Sequence, residues 1–394
     1  MISVFQAESI ILNSAKQLPA ESVPLTQAIG RLLREDIYSD RHQPPFDKAL
    51  MDGIAIHTGA YDKGVREFVV EKVVAAGDKP YKLKKGEHCV QIMTGAVIPQ
   101  GVNTVVPVEQ TQIQTDMATL KDWTLIKPKQ NIRFLGSDAK KGQLLIKAGC
   151  LIQSPHIGIL ASVGKHTVKV SCQPKIAIIS TGDELVAINK KPQSYQTRLS
   201  NSYAVKSLLE SSHLAKTEIF HYPDNQKVIL NGIAKNLKEF DILILSGGVS
   251  MGEFDYIPDV LKALKVNMLF HKVAQKPGKP LWFGKNNAGK IVFALPGNPI
   301  STQICAYRYV VPFLRKLAGL KINQTYVSLL QLPKVETDLT SFIPVQISEK
   351  NGVRYAQVIS TGGSGDFSAL AQADGFIEYE QSRKTLWPYF SWRV

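Results

Sequence analysis

The middle of the chain contains short apolar runs that are separated by more polar segments. The runs are Lys175–Ser180, Thr217–His221, Asp241–Leu245, Met268–Val273 and Ile291–Leu295. Short runs rich in β-branched and large apolar residues predict strands that are buried on both faces. The segments between them have the length and composition of helices. The alternation therefore predicts a doubly wound, mostly parallel sheet.

The helices of this region are predicted from their starting residues. Ser200 and Asn201 can cap a helix that runs to about Ser212. Further helices are predicted at about residues 225–238, at residues 255–264 and after Pro299.

The two flanks of this region differ from it in pattern. Residues from about 41 to 139 are rich in Gly, Pro, Val and Thr with short strand-like runs, which predicts a β-rich domain. The tail from about Lys321 contains the strand-like runs VSLLQL, FIPVQIS and RYAQVIS between turn residues. This spacing predicts a small β-barrel or sandwich.

Length and composition agree with a globular protein of two or three domains. The chain has 394 residues, of which 44% are hydrophobic and 20% charged. Residues 1–12 predict an amphipathic helix with Ser3 and Gln6 spaced as a capping box, not a signal peptide. No apolar run reaches the roughly 18 residues of a membrane span. A cytoplasmic location is therefore expected.

Cysteine usage and net charge narrow the function only slightly. The four cysteines form no CxxC pair, so reduced structural thiols are expected. The formal net charge of +14 attracts anions, either nucleic acid or a small polyanionic substrate. The basic residues occur as scattered short pairs without interleaved aromatic residues, so charge alone does not decide between these ligands.

Unusual polar segments follow the predicted strands, where an open α/β sheet binds its ligands. They are Ser180–Glu184, Tyr222–Asp224, Ser246–Gly252 with the nearby Asp255, and Pro296–Pro299. A mostly parallel sheet brings the carboxyl ends of its strands to one edge. The sequence therefore predicts that these segments converge at that edge.

The residue types in these segments suit a phosphate bound with a metal ion. Gly247 and Gly248 let backbone N–H groups approach a phosphate, and Ser246 and Ser250 add hydroxyl donors. Carboxylates alone would repel a phosphate, but they can hold a Mg²⁺ ion that also binds phosphate oxygens. The candidate carboxylates are Glu184, Asp224 and Asp255, although Asp224 could instead cap a helix.

A second candidate group is formed by lysines. Lys272, Lys276 and Lys279 lie in the segment HKVAQKPGKP, which Pro and Gly stiffen. Fixed ammonium groups suit a tetrahedral oxyanion. The alternative is that these lysines are simply solvated.

Two familiar motifs occur in unsuitable contexts. Gly284–Lys290 has P-loop spacing, but Ile291 replaces the required hydroxyl residue and a strand follows, so a hairpin turn is expected. Gly248–Gly252 matches the G-x-S-x-G elbow of serine hydrolases. His271 follows too closely to serve as the histidine of that fold, which disfavours a hydrolase.

The β-rich segment contains polar turns that spacing alone does not explain. They are Pro44–Gly53, Ile92–Pro99 and Asn131–Asp138. Taken together with the segments above, however, they resemble the MoeA family and the matching domain of fusion proteins such as gephyrin. The matching motifs, in order, are PPFDKALMDGIAI, IMTGAVIPQGVNTVVPVE, NIRFLGSD, ISTGDEL, SNSYAV, SGGVSMGEFDY, KPGKPLWFG, FALPGNPIS and STGGSGDFSALAQADGF.

The resemblance implies an α/β multidomain protein with four parts that forms a homodimer. In the family the active cleft lies between the pterin-binding part of one subunit and the inserted part of the other. The implied parts are a MogA-like molybdopterin-binding domain at 1–20 and 173–320, a linker domain at 21–40 and 140–172, a β-rich inserted domain at 41–139 and a C-terminal β-barrel at 321–394.

The implied reaction inserts molybdenum from molybdate into adenylylated molybdopterin and releases AMP with Mg²⁺. Asp224 and Asp255 match acids tied to the metal and pyrophosphate, and Asp52 matches the key acid of the MDG motif. The other implied catalytic residues are Glu184, Lys272, Lys276 and Lys279. The implied substrate-binding residues are Thr94, Arg133, Asp138, Thr181, Gly182, Ser246, Gly247, Gly248, Ser250, Pro296, Gly297, Asn298 and Pro299.

The family resemblance also implies partners and leaves rival functions open. MogA-type adenylyltransferases and molybdoenzyme maturation proteins are the implied protein partners, with neither nucleic acid nor membrane. One rival is the adenylyltransferase itself, which normally lacks the β-rich insertion and the barrel. The other is a non-catalytic scaffold of the same fold. The chain departs from the family pattern at Lys48, Ala49, Leu50 and Ile54, beside Asp52.

Overall fold

The fold was analysed in a computed structural model of the chain. The structure describes residues 1–122, 125–248, 256–335, 337–383 and 385–392. The larger of two compact units comprises Met1–Arg34, Leu151–Gln153 and Lys169–Val394, and the smaller comprises Glu35–Cys150 and Ser154–Val168. Within the described ranges, every helix is too short or too polar to cross a membrane. The four-part division into domains stays a prediction.

The helices of the described residues lie mainly in the larger unit. They are α1 (Val4–Asn13), α2 (Thr58–Asp62), α3 (Ser154–Ser162), α4 (Asn201–Ser211), α5 (Gln226–Glu239), α6 (Ile257–Ala263), α7 (Pro299–Cys305), α8 (Val311–Ala318) and α9 (Ser368–Gln372). A π-helical turn, Ala306–Val310, joins α7 to α8 without a break.

The strands fall into successive groups along the chain. The first are β1 (Ala20–Pro24), β2 (Ile37–Tyr38), β3 (Lys48–Ala49), β4 (Gly53–Ile56), β5 (Glu67–Val74), β6 (His88–Ile92), β7 (Thr104–Pro107), β8 (Thr111–Gln114), β9 (Met117–Leu120), β10 (Ile132–Arg133), β11 (Leu144–Ile146) and β12 (Thr167–Ser171). The next are β13 (Lys175–Thr181), β14 (Leu185–Val186), β15 (Thr197–Arg198), β16 (Lys216–Tyr222), β17 (Ile242–Ser246), β18 (Val266–His271), β19 (Gln275–Lys276), β20 (Trp282–Asn286) and β21 (Ile291–Leu295). The last are β22 (Thr325–Leu329), β23 (Thr340–Lys350), β24 (Val353–Val358), β25 (Gly375–Tyr379) and β26 (Trp387–Ser391).

The central sheet of the larger unit confirms the predicted doubly wound architecture. Its order in the described residues is β16-β13-β17-β21-β20-β18, and the first four strands pair in parallel. Buried apolar side chains cover both faces, with α4 and α7 packed on one side and α5 and α6 on the other. The predicted strand at Met268–Val273 is β18. The sheet is only mostly parallel because β20 pairs antiparallel with both of its neighbours, β21 and β18.

Several local predictions for this unit are confirmed. Helix α1 begins after Ser3, whose hydroxyl accepts from the Gln6 N–H while the Gln6 side chain accepts from the Ser3 N–H, so the capping box is complete. The segment Gly284–Lys290 joins β20 to β21, which pair antiparallel, and is therefore a hairpin turn rather than a P-loop. Ser200 is the N-cap of α4, but its side chain makes no capping hydrogen bond.

The smaller unit is built on the predicted β-rich segment. In the part that the structure describes, its main sheet has the order β7-β4-β6-β5-β9-β8. Strand β4 is buried on both faces because apolar clusters pack against each side of it, one containing Ala55 and the other containing Ile54 and Ile56. Because β4 pairs with β7 on one side and β6 on the other, the loop that precedes it, where Asp52 lies, starts from a firmly held strand.

The C-terminal segment forms the predicted barrel. Strands β23, β24, β22, β26 and β25 pair in this order, and β25 pairs back to β23, which closes the sheet among the described residues. Strand β19 of the preceding region adds to β23 in parallel through Gln275 and Lys276. The barrel is thereby joined by main-chain pairing to the segment that carries two candidate lysines.

Candidate functional site

The carboxyl ends of the parallel strands meet at one edge of the central sheet, as predicted. Ser180 on β13 is level with Ser246 on β17, and Ser246 is level with Leu295 on β21. On the other side, Thr181 is level with Tyr222 on β16. The polar segments that follow these strands therefore start side by side.

The glycines after β17 bring backbone close to backbone at this edge. Gly247 has a φ of +94°, and a Cβ there would lie 3.3 Å from the carbonyl oxygen of Thr181. At Gly248, with a φ of +66°, a Cβ would lie 3.0 Å from the Thr181 hydroxyl. Glycine is needed here for both conformation and space. The predicted site residues Ser250 and Asp255 lie outside the described residues.

Asn201, the first residue of α4, connects two of these segments. Its side-chain Nδ2 donates to the Ser246 hydroxyl at 3.2 Å and to the Gly297 carbonyl at 2.7 Å. Gly297 also lies against Gly247, since a Cβ on Gly297 would be 3.5 Å from the Gly247 Cα. The segments after β17 and β21 are therefore held together as one surface.

Two neighbouring carboxylates lie at the far end of this edge. Asp183 Oδ1 accepts from the Asp224 N–H at 3.1 Å, and Asp224 Oδ2 accepts from the Asp183 N–H at 3.4 Å. The alternative that Asp224 caps α5 is wrong, because the N-cap is Asn225, whose side chain accepts from the Val228 N–H. Asp224 is thus partly exposed at the edge and has no capping role.

Glu184 lies close to the same turn. Gly182 has a φ of +140°, and a Cβ there would come within 2.3 Å of a Glu184 carboxylate oxygen. The Gly182 N–H points to the Tyr222 carbonyl at 3.4 Å, and its own carbonyl is 2.9 Å from His221 Nε2. The turn that carries the predicted substrate residues Thr181 and Gly182 is therefore packed tightly against β16.

A cleft of about 750 Å³ opens beside this edge, within the larger unit. The predicted residues that line it are Lys276, Lys279, Pro296 and Asn298. Both lysines are exposed, whereas Gly278 between them is buried. The barrel forms the opposite wall, which includes Ser341 and Ser364.

The barrel also contacts the segment after β21 directly. Asn298 Nδ2 donates to the Ser364 hydroxyl at 2.8 Å, and the Ile300 N–H donates to the Ser364 carbonyl at 3.3 Å.

Lys272 differs from the other two predicted lysines, Lys276 and Lys279. It has a φ of +70°, its backbone bonds to Ile2 and Leu281, and it is not among the residues that line the cleft.

The predicted residues of the smaller unit form a separate group. Asp52 is exposed, and one of its carboxylate oxygens accepts from the Thr94 N–H at 2.7 Å and from the Thr94 hydroxyl at 2.6 Å. The hydroxyl bond, followed by the backbone bond, lowers the pKa of Asp52 below its ordinary value. Asp52 is therefore held as an ionised, oriented carboxylate.

Arg133 and Asp138 form an ion pair next to this loop. Arg133 Nε lies 2.8 Å and its Nη2 2.5 Å from Asp138 Oδ1. The Arg133 hydrogen bond lowers the pKa of Asp138, with smaller contributions from Ser137 and from the charge of Lys48. Both side chains are nearly half exposed, so the pair presents a positive and a negative group to solvent.

Backbone hydrogen bonds hold the three turns of the smaller unit together. The Gly95 N–H donates to the Ala49 carbonyl, and the Leu50 N–H donates to the Asn131 carbonyl, each at 2.9 Å. Strand β3 pairs with β10, which sets Lys48 level with Arg133. The departures from the family pattern fit this arrangement, because Ala49 and Ile54 are buried in the two cores of the unit.

The sequence predicted no site role for Asn201, Asp183 or Ser364. Asn201 was predicted only as a possible cap of the helix, yet its amide joins two predicted segments. Asp183 lies inside the predicted Ser180–Glu184 segment, and the glycine before it was the available signal in the sequence. Ser364 could not be found in this way because its partner Asn298 is distant in sequence.

Comparisons with known proteins agree with this architecture along the whole chain. The MoeA N-terminal region (domains I and II) matches residues 2–164, and the MoeA C-terminal region (domain IV) matches residues 334–386. Between them, a family described as a probable molybdopterin-binding domain matches residues 177–316.

Individual relatives match over similar spans. A molybdopterin molybdenumtransferase from Synechocystis sp. is 35% identical over 100% of both chains. One from Haemophilus influenzae is 35% identical over 97% of this chain and 95% of its own. A crystal structure of the molybdopterin biosynthesis MoeA protein from Pyrococcus horikoshii OT3 covers 99% of this chain and 100% of its own, with a TM-score of 0.78 and 26% identity. The chain therefore belongs to the family of molybdopterin molybdenumtransferases, the MoeA family.

Proposed function

We propose that this chain inserts molybdenum into adenylylated molybdopterin, consuming molybdate and releasing AMP, to give the molybdenum cofactor. The names of its full-length relatives support molybdenum transfer, and the matched family supports binding of molybdopterin. The observation that carries the proposal is the cleft in which Lys276 and Lys279 lie beside the Pro296–Asn298 segment. The cleft places two lysine ammonium groups beside the edge of an α/β sheet, where such sheets bind nucleotide-like ligands.

The lysines would hold molybdate. Lys276 and Lys279 are exposed on a segment whose intervening glycine is buried, so their ammonium groups have a common support. A tetrahedral dianion gains from two fixed positive charges in a partly enclosed cleft, where the effective dielectric is lower than in water. Their role is to concentrate the oxyanion and hold it next to the pterin's sulfur atoms.

The turn after β17 would hold the phosphates of the adenylylated substrate. Gly247 and Gly248 have positive φ values, a backbone conformation that can turn successive N–H groups toward one anion. Ser246 adds a hydroxyl whose orientation is influenced by Asn201. Thr181, Gly182 and Glu184 line the adjacent turn and would contact the same ligand.

The residues at this edge suit a Mg²⁺ ion. Mg²⁺ prefers oxygen ligands and is commonly bound by one or two carboxylates together with substrate phosphates. Asp224 offers a partly exposed carboxylate there, and Asp255 is its proposed companion outside the described residues. When bound, the ion would reduce the negative charge of the phosphates.

We also propose that the chain acts as a homodimer whose two kinds of site residues meet across subunits. The support is that Asp52, Thr94, Arg133 and Asp138 belong to the smaller unit, whereas the cleft lysines and the turn after β17 belong to the larger unit. An exposed guanidinium can bind phosphate oxygens, and an oriented carboxylate can act as a base or hold a metal ion beside them. The proposed location is the cytoplasm.

Mixing two inactive variants tests the shared site. Asp52→Asn changes the smaller unit, and Lys279→Ala changes the larger. If the groups meet across subunits, a mixed dimer has one site with both changes and one with neither, so about a quarter of the activity should return after random exchange. If each site lies within one chain, every site stays defective and no activity returns.

The function itself is tested with purified components. The chain is incubated with adenylylated molybdopterin, Mg²⁺ and molybdate, and AMP release and cofactor formation are measured together. Both products support the proposal. AMP formation without molybdenum on the dithiolene, or activity only with ATP and unmodified molybdopterin, would contradict it. Absence of any turnover would favour a scaffold.

A further inference from the structure

The segment that carries Lys276 and Lys279 is supported from beneath by a buried polar network. Gln275 is fully buried, and Tyr309 is only 1% exposed. The Tyr309 hydroxyl donates a hydrogen bond to Gln275 Oε1. Gln275 Nε2 in turn donates to the Gly278 carbonyl at 3.1 Å and lies 3.5 Å from the Cys305 sulfur.

Gly278 rests directly on this network. Its φ is +93°, and a Cβ there would lie 2.7 Å from Gln275 Nε2 and 2.8 Å from Cys305 Sγ. The Leu281 N–H also donates to the Gly278 carbonyl, at 3.2 Å. The position of this single carbonyl therefore depends on Gln275, and Gly278 lies between the two lysines of the cleft.

Tyr309 belongs to the π-helical turn Ala306–Val310. Such turns replace the regular hydrogen-bond pattern and occur frequently at functional sites. The turn places the Tyr309 hydroxyl on the buried side chain of Gln275, whereas Tyr307 in the same turn donates to the Trp392 carbonyl at 2.9 Å. Each hydroxyl has a hydrogen-bond partner, but only that of Tyr309 leads to the lysine segment.

We propose that Tyr309 and Gln275 are positioning residues that set the spacing of the Lys276 and Lys279 ammonium groups for the tetrahedral oxyanion. The proposal rests on the proposed function for the identity of that anion. Gln275 lines the cleft, but its amide is bonded to the Gly278 carbonyl and the Tyr309 hydroxyl, and Tyr309 does not line the cleft. Both are therefore positioning residues and not catalytic residues. Their effect is transmitted through the Gly278 carbonyl.

The experiment compares Tyr309→Phe with the matched control Tyr307→Phe. Each variant removes one hydroxyl from the same turn. Without the Tyr309 donor, Gln275 loses a buried partner and can reorient, so the KM for molybdate should rise about tenfold in Tyr309→Phe. The KM for adenylylated molybdopterin should stay within about twofold, and Tyr307→Phe should leave both constants unchanged. Gln275→Met removes both hydrogen bonds of the network, the one to Tyr309 and the one to Gly278. It should therefore raise the KM for molybdate at least as much as Tyr309→Phe does.

A second readout is independent of turnover. Amide hydrogen exchange at Leu281 should be faster in Tyr309→Phe and unchanged in Tyr307→Phe, because the Leu281 N–H shares the Gly278 carbonyl. A wild-type KM for molybdate in Tyr309→Phe, or an equal rise in Tyr307→Phe, would overturn the proposal. If the wild-type chain has no turnover, the proposed function fails. Amide exchange at Leu281 then tests the positioning role alone. Unchanged exchange in Tyr309→Phe would overturn that role.

Discussion

One carboxylate oxygen of Asp52 accepts two hydrogen bonds from Thr94, one from its backbone N–H and one from its hydroxyl. The two distances are 2.7 and 2.6 Å, although the residues are 42 positions apart in sequence. The contact orients the carboxylate and stabilises its charged form. Thr94 therefore orients Asp52 and lowers the pKa of its carboxyl group.

Removing the charge of Asp52 should abolish activity without affecting the fold. In Asp52→Asn, kcat should fall at least about a hundredfold, because an amide cannot replace an ionised carboxylate at the reacting phosphates. Asp78→Asn is a suitable control, since Asp78 is also exposed in the smaller unit and accepts one backbone N–H. Wild-type turnover in Asp52→Asn would contradict the proposed role.

Removing the Thr94 hydroxyl should change the pH dependence of activity. Thr94 lowers the pKa of Asp52, so Thr94→Val should raise that pKa toward its ordinary value. The acid limb of kcat/KM should then move to higher pH, while the rate on the plateau falls less. The measurement is a pH profile from about pH 3.5 to 8, a range that brackets ordinary carboxyl pKa values. An unchanged acid limb would separate Thr94 from the ionisation of Asp52.

Asn201 should matter for the substrate's phosphates rather than for molybdate. Its amide joins Ser246 to Gly297, so Asn201→Ala should loosen both segments and raise the KM for adenylylated molybdopterin about tenfold. Asn267→Ala provides the control, because that side chain bonds only to Asn287 on the hairpin side of the sheet. A change confined to the KM for molybdate would show that the two subsites were assigned the wrong way round.

The sequence predicted the central sheet and its converging loops well, for a physical reason. Strands such as Ile242–Ser246 are buried on both faces and read as continuous apolar runs, so their ends are visible in the sequence. The pattern also gave the hairpin at Gly284–Lys290 and the capping box of Ser3. Local chemistry determines each of these features.

Contacts between distant segments were not predictable in the same way. The pairing of Gln275 with Tyr309 depends on a π-helical turn, for which the apolar pattern around Ala306 carries no clear signal. The contact of Asn298 with Ser364 depends on how the barrel packs beside the sheet. The residues of the smaller unit were placed in the site only through the family resemblance, because spacing alone left their turns unexplained.

Arg308 should be among the largest single contributors to the stability of the larger unit. It is 5% exposed, and it pairs with Glu8 at 2.8 Å and with Glu378 at 2.7 Å. In Arg308→Met, two partly buried carboxylates lose their partner, which should cost about 3–5 kcal/mol in the free energy of unfolding. Urea unfolding is the measurement, with Arg383→Met as the exposed control. A loss below about 1 kcal/mol would show that solvent already satisfies the carboxylates.

The Cys305 thiol should make stability fall at alkaline pH. Burial raises its pKa to about 12, from an ordinary value of 9.0. The unfolded chain therefore loses this proton first as pH rises, and its contribution to stability is intact below pH 9 and is lost between pH 9 and 12. The serine hydroxyl of Cys305→Ser does not ionise in this range. The free energy of unfolding should therefore fall less steeply with pH in the variant, by up to about 1.4 kcal/mol per pH unit. Equal slopes in both proteins would contradict the buried thiol.

The ion pair between Glu8 and Arg308 has a consequence for synthesis on the ribosome. The two residues are 300 positions apart, and the other partner, Glu378, follows later still. At typical elongation rates of about 5–20 residues per second, the first helix emerges roughly 15–60 s before its arginine exists. Val4, Ala7 and Ile11 have no complete core to join during that interval. The apolar face of α1 therefore stays uncovered until most of the larger unit has been synthesised.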